Sequence, residues 1–333
     1  MITILCPTYN ESTRITACIE SLLLQGLTAE TAEVFFIDGM STDGTRQIIA
    51  QYVDKYSYIH LLDNPGHIVP GALNIGIRQA KGDPVFRIDA HATYPETYFK
   101  QLTFQSKRLL ADNVGGVIIT HPAGKNVMAR AVALGMSSHF GVGDSFFRTG
   151  TPHIRRVDTV PFGCYPKSLF DRIGLFDEDL ARNQDDEFNA RICKNGGSIY
   201  LIPQVKIDYY ARESLSKAAR MFFQYGLFKP LVNKKLGKIS TLRQLIPPLF
   251  VAALLTGTFC AVFFPWACVL FGVVAALYLL CALAFALSET RSPAVVAAMP
   301  FVFFVFHISY GGGYWCGLYK LLTGASFSVT STR

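Results

Sequence analysis

Between Glu213 and Glu289 the chain has no acidic residue, and from residue 245 onward Leu, Val, Ala and Phe dominate it. Eight Lys and Arg fall from Arg212 to Arg243, so the formal net charge of +7 owes much to one junction. That clustering argues against a nucleic-acid partner. A basic belt beside apolar spans is instead the pattern that meets the anionic cytoplasmic leaflet and fixes orientation. None of the eight cysteines forms a C-x-x-C pair, and four (Cys260, Cys268, Cys281, Cys316) lie in apolar spans. They read as small buried hydrophobes rather than disulfides or zinc ligands. No G-x-G-x-x-G follows the first predicted strand and no Walker A loop is present, which excludes the usual dinucleotide and P-loop logic. The first six residues lack a basic stretch and a long apolar run, so no signal peptide is expected and the polar part is expected to stay in the cytoplasm.

What is present alternates strand and helix. Residues 2–6, 34–37, 59–62, 85–88 and 114–120 read as short apolar strands, and 13–25, 71–80 and 96–110 as helices. Ile15, Ile19, Leu22 and Leu23 stripe the first helix. Ser41 or Thr42 can cap another, in which Ile48, Ile49, Tyr52 and Val53 form the buried side. This alternation predicts an α/β, Rossmann-like parallel sheet. Residues 121–160 read as a partly mobile loop over the cleft, 161–166 as a tight turn, and Ser168 as the cap of a short helix ending near Gly174. Residues 199–202 and 205–210 read as edge strands. A basic amphipathic helix over 214–227 either lies along the bilayer surface or packs on the sheet.

The predicted division is a cytoplasmic domain over 1–240, with an interface helix at about 214–240, a membrane region over 245–322 and a tail over 323–333. Segments 245–264, 266–287 and 294–319 each reach the roughly 20 apolar residues needed to cross a hydrocarbon core of about 30 Å. Two or three of them span, in a multi-pass inner-membrane protein whose polar domain faces the cytoplasm. His307 and Gly311-Gly312-Gly313 in the last suit packing against a neighbouring helix or lining a groove.

Two acidic stretches stand out. The fourth strand runs into Asp89-Ala90-His91, and a strand's carboxyl end in an open α/β sheet faces the ligand crevice. A carboxylate and an imidazole so placed can share a divalent cation, which a diphosphate leaving group needs; equally, Asp89 can cap a helix and His91 sit in a loop. Gln184-Asp185-Asp186-Glu187 opens another helix. Three acids there partly answer the positive helix end, yet their mutual repulsion can raise one pKa and suit a general base.

Read in order, these motifs resemble inverting, family-2-type glycosyltransferases of the GT-A fold. They are most like the membrane-attached enzymes that extend lipid-linked exopolysaccharide units. The likeness covers residues 1–235 and, loosely, the membrane tail. Pro7-Thr8-Tyr9-Asn10-Glu11 is similar to the family's opening turn, so the resemblance puts Pro7, Tyr9 and Glu11 against the nucleotide. It puts Asp38 at the uracil edge and fits Asp43 and Asp89 to the nucleotide sugar, with Gly39 where a second Asp is usual. Asp89-Ala90-His91 takes the place of the D-x-D metal motif, implying Asp89 and His91 as ligands of Mn²⁺ or Mg²⁺. Asp185 falls at the catalytic base, with Gly163, Gln184, Asp186 and Glu187 on the acceptor side. The implied partners are a UDP-sugar, UDP-glucose first among them, a polyprenyl-diphosphate-linked saccharide and the membrane. The implied reaction inverts the anomeric centre and yields a β-glycoside.

Rival readings are an inactive nucleotide-sugar-binding membrane scaffold, favoured by His91 and Gln184, and a processive synthase. Against the second, Phe223-Gln224-Tyr225-Gly226 stands where such synthases carry Q-x-x-R-W. A sugar-phosphate nucleotidyltransferase would want a Gly-rich, Arg-containing start that this chain does not have.

Overall fold

The computed structural model describes residues 1–212 and 214–327. Glu213 and the tail from residue 328, including Arg333, lie outside the described residues. The chain forms two compact units, one of Met1–Ile119 with Gly150–Tyr209, the other of Thr120–Thr149 with the segment from Tyr210 onward.

The first unit is built on a mixed sheet. Strands β1 (Ile2–Thr8), β2 (Ala32–Asp38), β3 (Ile59–Asp63), β4 (Val85–Arg87), β5 (Ala92–Thr93), β6 (Asn113–His121), β7 (Arg155–Arg156), β8 (Cys164–Tyr165) and β9 (Ile199–Tyr210) lie in the order β3-β2-β1-β4-β8-β6-β9-β5, with β7 against β9. β3, β2, β1 and β4 are mutually parallel, and β8 runs antiparallel to β4 and β6. Helices Ile15–Leu23, Thr45–Val53 and Val69–Gln79 make the crossovers of the parallel half. Every residue of β2 is buried, as a parallel strand covered on both faces requires. Register aligns Thr8 with Asp38 and Asp38 with Asp63, so the polar turns all leave from one edge of the sheet.

Several expectations change. The two short edge strands are one strand, β9, which continues through Pro203 and lies between β6 and β5. A proline removes one N–H but leaves the alternation of inward and outward side chains intact. Neither Ser41 nor Thr42 caps the second helix; Gly44, at φ 94°, holds that position. Residues 121–160 are not a loop, since they carry helices Val127–Gly135, His139–Val142 and Phe146–Thr149. Asn126 Oδ1 accepts from the Ala129 N–H at 2.7 Å and starts the first of these. Its apolar face meets Val302 and Phe306 far along the chain, a partner no local pattern records.

In the second unit, helix Leu215–Leu236 begins at Ser214, whose hydroxyl accepts from the Lys217 N–H at 3.2 Å. This is the basic amphipathic helix, and it packs along helix Pro293–Thr323. A Cβ added at Gly226 would stand 2.0 Å from the Tyr310 carbonyl oxygen, and one at Gly313 2.1 Å from that of Phe223, so the two backbones touch through glycine. Among the described residues, three helices are long and apolar enough to cross a membrane: Leu242–Phe263, Pro265–Glu289 and Pro293–Thr323. Pro265 opens the second as a first-turn residue, where its missing N–H is no loss. His307 is held at both nitrogens, by the Tyr278 hydroxyl at 2.9 Å and the Phe140 carbonyl at 2.8 Å. Cys6, Cys18 and Cys164 are buried, but Cys193, Cys268, Cys281 and Cys316 are exposed. The last three lie on apolar helices whose outer faces suit lipid, so hydrophobic sequence there did not mean burial in protein.

Candidate active site

β4 stops at Arg87, one residue before the predicted strand end. Arg87 is the lone charge in an apolar run, and it is buried at 6% exposure. Its Nη2 lies 2.8 Å from Asp89 Oδ1 and its Nη1 3.0 Å from Asp185 Oδ2. One guanidinium thus joins the two acidic stretches that the sequence keeps far apart. The Phe162 ring lies 5.4 Å beneath it, and its backbone N–H donates to the Gly163 carbonyl at 2.9 Å. Burial opposes the charge on Arg87, but Asp185 and Asp89 outweigh it and hold its pKa above the ordinary value.

Asp185 is pushed the other way. Burial raises its pKa above the usual carboxylate value, Asp89 and Asp186 add to the rise, and Arg87 opposes it. Oδ2 is engaged by Arg87, while Oδ1 is buried with no hydrogen-bond partner among the described residues. An inward carboxylate oxygen short of a donor, on a group already inclined to hold a proton, is equipped to take one.

On the other side of Arg87, His91 Nδ1 lies 3.3 Å from Glu11 Oε1 and Nε2 3.8 Å from Asp89 Oδ2. The Asp89 backbone is pinned by the Tyr94 hydroxyl, which accepts from its N–H at 2.8 Å and donates to its carbonyl at 3.2 Å. Among the described residues no three His, Cys, Asp or Glu gather into a full metal cage. A Mg²⁺-like ion does not need one, since it keeps waters and phosphate oxygens beside one or two protein ligands. Asp89 Oδ2, which Arg87 does not take, and His91 Nε2 fit such a two-ligand site.

The other predicted residues hold the turns in place. Pro7 ends the apolar part of β1, and Tyr9 is exposed, edge-on to the His67 ring at 6.2 Å. A Cβ at Gly39 would press the Tyr9 ring at 3.2 Å, a physical reason for glycine where an acid was expected. Asp38 is fully buried, with Oδ1 accepting from the Ser41 hydroxyl at 2.6 Å and Oδ2 from the Ser41 N–H at 2.8 Å and Arg46 at 3.0 Å. Asp43 is exposed and accepts from the Thr45 hydroxyl and the Ser12 N–H at 3.0 Å. Its slight burial opposes ionisation, but these donors lower its pKa to about 2. Glu11 is buried and its N–H donates to Thr45 Oγ1 at 2.7 Å, knitting the two turns together.

Gly163 sits against β4, where a Cβ would fall 2.4 Å from the Tyr165 ring and 2.5 Å from Asn113 Oδ1. Gln184 and Asp186 share the first turn of the Asp185 helix. Glu187 differs from its three neighbours. Arg191 takes both its oxygens, at 2.9 and 2.7 Å, and also donates to the Ile173 and Leu175 carbonyls. The pair forms a clasp within the helix. Asn189, fully buried, accepts from Asn113 and donates to Thr159, which anchors the helix. Sequence reading gave no role to Arg87, Tyr94 or Asn189. Only Arg87 carried a signal, as a charge inside an apolar strand.

The model for glycosyl transferase family 2 matches residues 3–172. The chain is 32% identical to the succinoglycan biosynthesis protein ExoA of Rhizobium meliloti (strain 1021), over 94% of this chain and 93% of that one. This protein belongs to glycosyl transferase family 2. A second family relative is a dolichyl N-acetyl-α-D-glucosaminyl phosphate 3-β-D-2,3-diacetamido-2,3-dideoxy-β-D-glucuronosyltransferase of Methanococcus voltae, 30% identical over 96% of this chain and 97% of its own. Among solved structures, the mannosyltransferase PcManGT of Pyrobaculum calidifontis, in complex with GDP-Man and Mn²⁺, gives a TM-score of 0.58 at 19% identity, covering 93% of this chain and 86% of that one. At that identity the likeness is one of fold, the mixed α/β sheet of GT-A glycosyltransferases. The family match ends before Asp185, so within this family 2 glycosyltransferase the place of Asp185 rests on its ion pair with Arg87.

Proposed function

We propose that this glycosyltransferase moves a sugar, UDP-glucose being the leading donor, onto a polyprenyl-diphosphate-linked saccharide. It does so at the cytoplasmic face of the membrane, in exopolysaccharide repeat-unit synthesis. The observation that carries this reading is the grip of Arg87 on Asp89 and Asp185 together, 2.8 and 3.0 Å away. It supports a shared hollow in which leaving-group side and base side meet.

Asp185 Oδ1 accepts the acceptor hydroxyl's proton as that oxygen bonds to the anomeric carbon and the bond to the nucleotide diphosphate breaks. One displacement inverts the centre, so an α-linked donor yields a β-glycoside. Arg87 keeps Asp185 oriented, Tyr94 fixes Asp89, and Gly163, Gln184 and Asp186 border the acceptor. Pro7, Tyr9, Asp38 and Asp43 shape the nucleotide side. Asp89 and His91 would hold a divalent ion, Mn²⁺ or Mg²⁺, whose charge would offset that of the diphosphate leaving group. Support for the acceptor class comes from the names of the two long relatives, one in succinoglycan biosynthesis and one acting on a dolichyl-phosphate-linked sugar. Three apolar helices support a lipid-linked substrate, since enzyme and acceptor then share one surface.

The test is transfer from labelled nucleotide sugars to a lipid-linked acceptor by the full chain in detergent. Asp185→Asn is expected to keep donor binding and lose about 10²–10⁴-fold in turnover. Near wild-type transfer by that variant would remove Asp185 as base. Donor binding without transfer by the wild type would leave a scaffold.

A further inference from the structure

We infer that Phe162 is a positioning residue, held in a strained backbone conformation so that its ring supports the Arg87 guanidinium. This rests on the transfer reading above and adds a residue to it. Phe162 has φ 50°, in the left-handed region, although it is neither glycine nor asparagine. A bulky side chain there is a genuine outlier, and such strain persists only where the surroundings over-determine it. Here they do. The Phe162 carbonyl accepts from the buried Tyr98 hydroxyl at 2.8 Å, and the next carbonyl, that of Gly163, accepts from the Arg87 N–H at 2.9 Å. Cys164 then pairs with Phe86 in the sheet. Glycine at 162 would relieve the backbone and leave the place of the ring empty.

That place is under Arg87. Phe162 is 3% exposed, and its ring centroid lies 5.4 Å from Arg87 Cζ. Nη1 and Nη2 are taken by Asp185 and Asp89, and Nε is buried with no hydrogen-bond partner among the described residues. What is left to hold the guanidinium is the ring below its central carbon. An aromatic ring attracts a cation without offering an oxygen that would compete for the fork, and an aliphatic side chain would pack there without that attraction. Tyr94 braces Phe162 in turn, its ring at 84° with centroids 6.1 Å apart. Since Tyr94 also pins the Asp89 backbone, Asp89 has a second anchor. Asp185 Oδ1 has none among the described residues, so a loosened Arg87 is felt at the base first.

The test uses the full chain in detergent, with labelled UDP-glucose and a polyprenyl-diphosphate-linked saccharide as probes. Phe162→Leu keeps the Cβ and most of the volume but loses the ring. It is expected to lower turnover about 3–30-fold, the worth of a cation–π contact, with UDP-glucose affinity unchanged. Phe162→Tyr keeps the ring and should turn over well above Phe162→Leu. In melting, Phe162→Leu and Arg87→Met should be coupled, the double variant losing less than the sum of the two. Wild-type turnover in Phe162→Leu, no recovery in Phe162→Tyr, or melting losses that simply add each overturn the inference. If Phe162→Leu does not fold, Phe162→Met carries the same comparison, and failure of both to fold would assign the ring to the core alone. A wild type that moves no glucose while the melting losses stay coupled would sink the transfer reading alone. Transfer with additive losses would sink only the inference.

Discussion

Arg87→Met tests the centre of the site directly. The guanidinium is 8% exposed and its two carboxylates 21% and 26%, so water screens them little. Removing the cation from this buried cluster costs about 3–5 kcal/mol, because its two carboxylates stay desolvated and repel each other. For a domain of 150–250 residues each kcal/mol moves the melting point by about 2–4 °C, which predicts a fall of about 6–20 °C at neutral pH. Arg87→Lys should fall less far, since a single ammonium keeps the charge but cannot fork to both carboxylates. The assay is calorimetric unfolding of the full chain in detergent at pH 7 and again near pH 4. Without Arg87 the paired carboxylates are harder to ionise folded than unfolded, so the defect is present at pH 7. It should shrink as pH falls toward the unfolded value of about 4. A fall of less than about 2 °C at pH 7 would mean that Asp89 and Asp185 do not need this cation. The convergence of the two acidic stretches would then carry no energy.

Asp185 gives a signed pH prediction. Its raised pKa means the ionised form is disfavoured on folding, so Asp185→Asn should melt higher than wild type at pH 7 and converge with it below the ordinary carboxylate pKa. The acid limb of transfer activity should also lie above the ordinary aspartate value, and a limb at or below it would refute the raised pKa. Glu187→Gln should lower stability by about 3–5 kcal/mol, since Arg191 loses its charge partner, with turnover of the folded protein within a few-fold of wild type. A turnover loss like that of Asp185→Asn would return Glu187 to the acceptor site. Gly226→Ala should destabilise the helix pair Leu215–Leu236 and Pro293–Thr323 by about 1–3 kcal/mol, read as a lower melting point with the donor site intact.

Much was legible locally. Alternating apolar runs and polar turns placed β1, β2, β3 and β4 to within a residue or two, because a parallel strand must be apolar on both faces. Length and hydropathy found all three long apolar helices, since a bilayer imposes a minimum run. Gly311 and Gly313 pointed to close helix packing, and a Cβ at Gly311 would indeed fall 2.4 Å from the Pro247 carbonyl oxygen. Asp89, His91 and Asp185 could be singled out because carboxylates and imidazole at strand and helix ends are costly to place and easy to notice.

What the sequence by itself determined is the order of strands, turns and apolar helices, because each follows from the period of its own side chains. Only the tertiary structure decided which charges meet. It joined Asp89 to Asp185 through Arg87, set Glu11 beside His91, paired Glu187 with Arg191, and gave residues 127–135 a helix to pack on. Those pairings depend on side chains reaching across the fold, and no spacing along the chain encodes a distance between segments that touch only once it has closed.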